Sequence, residues 1–123
     1  MLLNQEQSLI RETARAFAQE QLAPQAAAWD REARFPAEAV SAMGELGFLG
    51  MLVPPEFDGA GADHVGYAAA LIEIAAGDGA CSTIMSVHNS VACMPILKFG
   101  SSEQKERFLK PMARGEKLGA FCL

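Results

Sequence analysis

Between Asp63 and Asp78 the chain reads HVGYAAALIEIAAG, a segment that is apolar nearly all round. It is too long for an ordinary strand. A helix with no polar face cannot stand alone in water, so it calls for a central place among other helices. Asp63 is placed to cap it, because a carboxylate there can accept hydrogen bonds from the free amides of the first turn. The remaining sequence has to supply the walls around it.

The spacing of apolar residues predicts helices over 4–22, 25–34, 36–47, 63–77, 79–98 and 101–114. In the first, Ile10, Ala14, Phe17 and Leu22 lie near one stripe, and Asn4 with Gln7 can form a capping box. Pro24 is expected to end that helix or restart it, since proline lacks an N–H and its ring crowds the preceding turn. Pro36 suits the first turn of the third helix and Gly47 its stop. Residues 53–63, VPPEFDGAGAD, are loop. Pro95 is expected to kink or end the fifth helix by crowding the Val91 carbonyl. Ser101 or Ser102 caps the last helix, which is charged and amphipathic. The closing run KLGAFCL reads as a strand. The predicted fold class is all-α: a six-helix orthogonal or up-down bundle with one strand-like segment at the C-terminus.

Half of the 123 residues are hydrophobic and a fifth are charged, which makes the chain globular. A mean hydropathy of +0.12 is high for so small a unit, and points to a large core or to apolar surface that expects a partner. The net charge of −5 argues against nucleic acid and against an anionic membrane surface. MLLNQEQSLI has no basic flank and is not expected to be a signal peptide. Residues 84–99, interrupted by Ser86, His88, Asn89 and Ser90, are expected to be too short and too polar to cross a bilayer. Cys81, Cys93 and Cys122 show no metal-ligand spacing. They are expected to be free buried thiols of a protein in the reducing cytoplasm.

Three stretches invite a chemical reading. PPEFDGAG could be a phosphate cradle, but it lacks a Walker lysine, and a tight turn between helices is the stronger reading. His88 has no i+4 histidine and no adjacent carboxylate, so a satisfied buried or interface histidine is favoured over a catalytic one. CSTIMSVHNSVACMP carries two lines. Ser82, Ser86, Asn89 or Ser90, and Cys93 make a small polar line. Thr83 or Ile84, Val87 and Val91 make an apolar one. Close packing, with hydroxyls bonded back to backbone carbonyls, explains them. A pocket wall facing a greasy ligand explains them too, and packing stripes are the commoner of the two.

MSVHNSVACMPILKFGSSEQKERFLKPMARGEKLGAFCL resembles the later part of the N-terminal α-domain of the acyl-CoA dehydrogenase family. LGFLGMLVPPEFDGAGAD resembles that family's turn between its third and fourth helices, and the opening, from EQ at 6–7 to WD at 29–30, fits as well. The resemblance implies an N-terminal helical domain over 1–117. It further implies that 118–123 is the first strand of a middle β-domain, cut off at its start. It implies FAD-dependent α,β-dehydrogenation of acyl-CoA thioesters, with the catalytic base and most flavin contacts lying outside this chain. The fragment itself is then expected to be inactive and to bind little or no FAD. By position, Thr83, Ile84, Val87 and Val91 would face the acyl chain, and Phe121 and Leu123 would approach the flavin. No metal is implied. Implied partners are acyl-CoA, electron-transferring flavoprotein and further copies of the chain in a homo-oligomer. The alternatives are a stand-alone helical interaction or oligomerisation module, or the N-terminal domain of a related flavin oxidase or monooxygenase.

Overall fold

The three expected caps form, and a fourth joins them at Asp78. Asn4, Asp63, Asp78 and Ser101 each accept a hydrogen bond from an amide in the first turn of the following helix, at 2.8, 2.7, 2.7 and 3.2 Å. Asn4 with Gln7 and Ser101 with Gln104 complete reciprocal capping boxes. In the computed structural model, which describes residues 2–122, these caps open three long helices and one shorter one. The first, α1, is residues 5–31. The others in chain order are α2 (Ala37–Glu45), α3 (His64–Gly77), α4 (Gly79–Phe99) and α5 (residues 102–113). Single 3₁₀ turns at Phe48–Gly50 and Pro55–Phe57 shape the connection between α2 and α3. Gly47, with φ 83°, ends α2 in the left-handed conformation that glycine adopts at little cost.

The fold is all-helical among the described residues, but the expected division into six helices is revised. The helices predicted at 4–22 and 25–34 are one rod that runs through Pro24 and ends at Arg31. α4 likewise runs through Pro95 to Phe99. The reason is common to both, and recurs at Pro111 in α5. A π-helical stretch lies just before each proline: Ala18–Leu22, His88–Cys93 and Lys105–Leu109. Ala23 donates its amide to the Ala18 carbonyl and Lys110 to the Lys105 carbonyl, each five residues back. A turn widened in this way moves the carbonyl that the pyrrolidine ring would strike, so the rod continues. Past Arg31 the chain turns through Ala33 (φ 49°), and Arg34 donates back to the Trp29 carbonyl at 2.9 Å. The expected C-terminal strand does not form among the described residues. Residues 118–122 have no regular structure, since a strand needs a neighbour with which to exchange hydrogen bonds.

Two apolar cores share one helix. In the first, Ala14, Phe17, Ala18 and Leu22 of α1 pack with Ala70 and Ile74 of α3, Met43 of α2, and Cys81 and Met85 of α4. Burying a side chain such as Phe17 or Leu22 contributes about 1.5–3 kcal/mol. The Phe17 and Phe48 rings meet at 6.0 Å, and Arg15 clamps Glu73 through bonds of 3.0 and 2.7 Å along the α1–α3 seam. The second core joins Ala92 and Cys93 of α4 to Leu109, Met112 and Ala113 of α5 and to Val53. The central helix is therefore α4. α3, expected to be enclosed on all sides, leaves Ile72 68% exposed. At 21 residues α4 is long enough to cross a bilayer, which corrects the expectation of a stretch too short to span. Its inner line nevertheless carries fully buried His88 and Asn89, as the spine of a folded domain can.

The α1–α3 seam closes at Gly77. A Cβ built there would lie 2.9 Å from both the Cβ and the carbonyl oxygen of Ala18. Gly77→Ala should therefore lower stability by about 1–3 kcal/mol, the usual cost of overpacking against backbone. Gly79→Ala is the contrast, because a Cβ there meets nothing within 4 Å. It should be neutral or stabilising by up to about 1 kcal/mol, through the less flexible unfolded chain. Urea unfolding of the two variants checks the pair.

Candidate functional site

Of the polar line read along α4, Asn89 and Cys93 are buried, while Ser82, Ser86 and Ser90 are half-buried. The inward line runs through Cys81, Met85, His88, Asn89, Ala92 and Cys93, all buried. The other side stays open: Thr83 is exposed, Ile84 and Val87 are half-buried, and Val91 is 40% exposed. The small hydroxyls bond back to carbonyls of their own helix. Ser82 and Thr83 donate to the Gly79 carbonyl at 2.7 and 3.1 Å, and Ser90 to the Ser86 carbonyl at 2.6 Å. Ser82 and Ser90 of the polar line are thus satisfied within their own helix, while Thr83, Ile84, Val87 and Val91 keep exposed surface.

Thr83 and Ile84 line a cleft of about 760 Å³, together with Trp29, Ala33, Phe35 and Pro36. The sequence reading had no signal for these last four. Their placement depends on the turn through Ala33, which folds the chain after α1 back beside the start of α4. Val87 and Val91 are not among the residues lining that cleft; they lie further along α4.

Between the two cores, α4 holds its two buried polar side chains. Asn89 donates to the Phe48 and Met85 carbonyls at 2.8 and 3.0 Å and accepts the Leu52 amide at 3.3 Å. Three of its four hydrogen-bonding positions are filled by backbone. His88, fully buried, accepts the Gly119 amide at Nδ1, 3.0 Å away. Its Nε2 lies 2.9 Å from the Met112 carbonyl. Because Nδ1 accepts, Nε2 carries the proton, and the ring is the neutral Nε2–H tautomer. Burial lowers its pKa below the ordinary histidine value, against a smaller upward pull from the Met112 and Leu49 carbonyls. The favoured reading of His88 as a satisfied buried residue holds, and it also has a partner in the closing segment.

Of the two positions expected near the flavin, Phe121 lies in the irregular segment 118–122 with its ring 61% exposed. Leu123 lies outside the described residues. The loop at 53–63 is no phosphate cradle. Its amides at Gly59, Ala60, Gly61 and Ala62 are spent on the Pro54, Gly50, Val53 and Met51 carbonyls at 2.8–3.2 Å. Arg114 pins its Asp58 at 2.5 Å. Among the described residues no cluster of histidine, cysteine and carboxylate groups could hold a metal ion. Burial pushes the thiols of Cys81 and Cys93 up to about 12, which leaves them unreactive, whereas Cys122, expected to be buried, is exposed.

A profile of the acyl-CoA dehydrogenase N-terminal domain matches residues 4–116, and the chain belongs to this family. Short-chain specific acyl-CoA dehydrogenase from Rattus norvegicus mitochondria is 49% identical over 115 residues, which are 94% of this chain and 28% of that protein. A chain solved in work on the electron transferring flavoprotein of Acidaminococcus fermentans superposes with a TM-score of 0.92 at 32% identity, over 96% of this chain and 31% of its own. Glutaryl-CoA dehydrogenase from Mycobacterium smegmatis, solved in complex with FADH2, gives 0.89 at 34% identity, over 94% and 30%. The chain thus spans less than a third of the length of these relatives.

Two outcomes follow from the polar pair. Asn89→Leu strands two carbonyls and an amide inside the fold and should cost roughly 2–4 kcal/mol in chemical denaturation. For His88, the folded pKa lies below the unfolded value of about 6.5, so the unfolded chain binds the proton more readily. Its contribution is complete above about pH 6.5 and is lost as pH falls through the folded pKa. Melting curves from about pH 8 to about pH 5 should therefore fall more steeply for the native chain than for His88→Asn, which has no titrating ring.

Proposed function

We propose that this chain is the N-terminal helical domain of a flavin-dependent acyl-CoA dehydrogenase, where it forms part of the wall holding the acyl chain of a thioester substrate. The observation that carries this reading is the open apolar side of α4, presented at Thr83, Ile84, Val87 and Val91 while the opposite side is sealed into two cores. In such an enzyme the reaction is α,β-dehydrogenation, and FAD supplies the acceptor for the hydride lost from the β-carbon. The base that takes the α-proton belongs to another part of the protein. The work of these four residues is to exclude water from the acyl chain and to limit how far it extends. Each methylene they cover contributes about 0.8 kcal/mol to binding. Partly filled by aliphatic groups, the wall suits short or modestly branched chains, in keeping with the short-chain relative.

On this reading residues 118–123 are the entry to a β-domain, with Phe121 and Leu123 on the flavin side. Electron-transferring flavoprotein is the proposed acceptor of the reducing equivalents. The exposed side chains of Phe35, Ile72 and Phe99 suit burial by other domains or by further copies in a homo-oligomer. The free thiols suit the reducing cytoplasm.

Val87→Phe in the enzyme that carries this domain tests the wall. A ring there should shorten the preferred substrate, at a cost of about tenfold in kcat/KM for two excluded methylenes, with the shortest acyl-CoA nearly unaffected. Ser90→Ala, on the polar line, removes the 2.6 Å bond to the Ser86 carbonyl. It should alter stability by about 1 kcal/mol and leave chain-length preference unchanged. An equal loss at every length for Val87→Phe, across a ladder of acyl-CoA substrates, would refute the assignment.

A further inference from the structure

Among the described residues, the hydrogen bond from the Gly119 amide to His88 Nδ1 is the side-chain bond that ties segment 118–122 to the helices. Its geometry is tight on all sides. A Cβ at Gly119 would lie 2.3 Å from the Ala92 Cβ and 2.6 Å from the Met112 Cε. Only glycine lets the segment approach α4 closely enough for the bond to form. The other ring nitrogen is held by Met112, so the imidazole cannot swing away without losing both partners. His88 therefore fixes one backbone atom of the segment, and Phe121 follows two residues later.

We propose that His88 is a positioning residue for the closing segment: its neutral Nε2–H tautomer clamps Gly119 against α4 and so sets where Phe121 meets the flavin. The flavin half of this statement rests on the reading of Phe121 given above. The clamp exists in one protonation state only. A protonated ring has a hydrogen on Nδ1 and cannot accept from the Gly119 amide. Neither the inner stretch of α4 around His88 nor residues 48–53 carry a charged side chain. The nearest ones in sequence on the elements packed against the ring are Lys110, Arg114, Glu116 and Lys117. The first three are engaged in exposed ion pairs with Glu106, Asp58 and each other.

Two substitutions separate the two ring bonds. His88→Asn places a carbonyl oxygen near the position of Nδ1, retaining an acceptor for Gly119 and giving up Met112. His88→Gln places an amide nitrogen near the position of Nε2, retaining Met112 and giving up Gly119. Amide hydrogen exchange on residues 1–123 reads the clamp directly. Protection at Gly119 should fall about fivefold or more in His88→Gln, the worth of one neutral hydrogen bond, and persist in His88→Asn. Gly119→Ala should match His88→Gln. Unchanged protection at Gly119 in folded His88→Gln overturns the proposal. Should that variant fail to fold, the native chain still decides: Gly119 protection, relative to α3 amides, has to drop between about pH 8 and about pH 5, and a flat ratio overturns the proposal. In the FAD-loaded enzyme, His88→Gln and Gly119→Ala should shift the visible flavin spectrum and release FAD faster on gel filtration, with His88→Asn close to the native protein. Release of Gly119 with an unaltered flavin spectrum would overturn the link to the flavin and the flavin-side reading of Phe121. The acyl-wall reading is tested separately at Val87.

Discussion

The arrangement hangs on two adjacent polar side chains in the middle of an apolar helix. Asn89 holds the loop after α2, and His88 holds the end of α5 and the segment beyond it. Without them α4 would be a hydrophobic rod free to slide or rotate against its neighbours, since apolar contact is non-directional. Buried polar groups are costly unless satisfied, so one registration of α4 against Phe48, Leu52 and Met112 is strongly preferred over its neighbours in sequence. The two cores on either side then pack against a helix whose position is already set. The open side of α4 is the remainder of that choice: once His88 and Asn89 face inward, Val87 and Val91 must face elsewhere.

Much of the fold is legible in the sequence because much of it is decided locally. Asn4, Asp63 and Ser101 cap their helices through bonds that span three residues, and such signals survive in a string of letters. Gly47 ends α2 for an equally local reason. Pro24 and Pro95 mislead because the rule that they break helices assumes an unaltered preceding turn. Here that turn is widened, and the cost of doing so is met by packing against helices distant in sequence, such as α3 against Ala18 and Leu22. The exposed flank of α3 was equally hidden, because a hydropathy pattern records apolar surface without saying whether this chain covers it.

At the candidate site the sequence marks a polar and an apolar line on α4, and the structure buries Asn89 and Cys93 of the polar one. Hydroxyls at Ser82, Thr83 and Ser90 turn back to their own helix, as their spacing allowed. The contribution of Trp29, Phe35 and Pro36 to the cleft beside Thr83 was beyond reach, since it depends on a left-handed alanine, a residue type that carries no turn signal. The bond between His88 and Gly119 joins positions 31 residues apart and leaves no periodic trace.

The widened turn at His88–Cys93 has one more effect. An extra residue that does not lengthen a helix by a full step acts as an angular offset between its two ends. The part of α4 before His88 is aimed at one core and the part after Val91 at the other, and each can be fitted independently. The offset also sets the angle between Ile84 and Val91 on the open side. A single-residue deletion within 88–93 would twist those two side chains relative to each other and reshape the wall while leaving its chemistry intact. Pocket shape in this domain can therefore be tuned by the pitch of a backbone as well as by the bulk of its side chains.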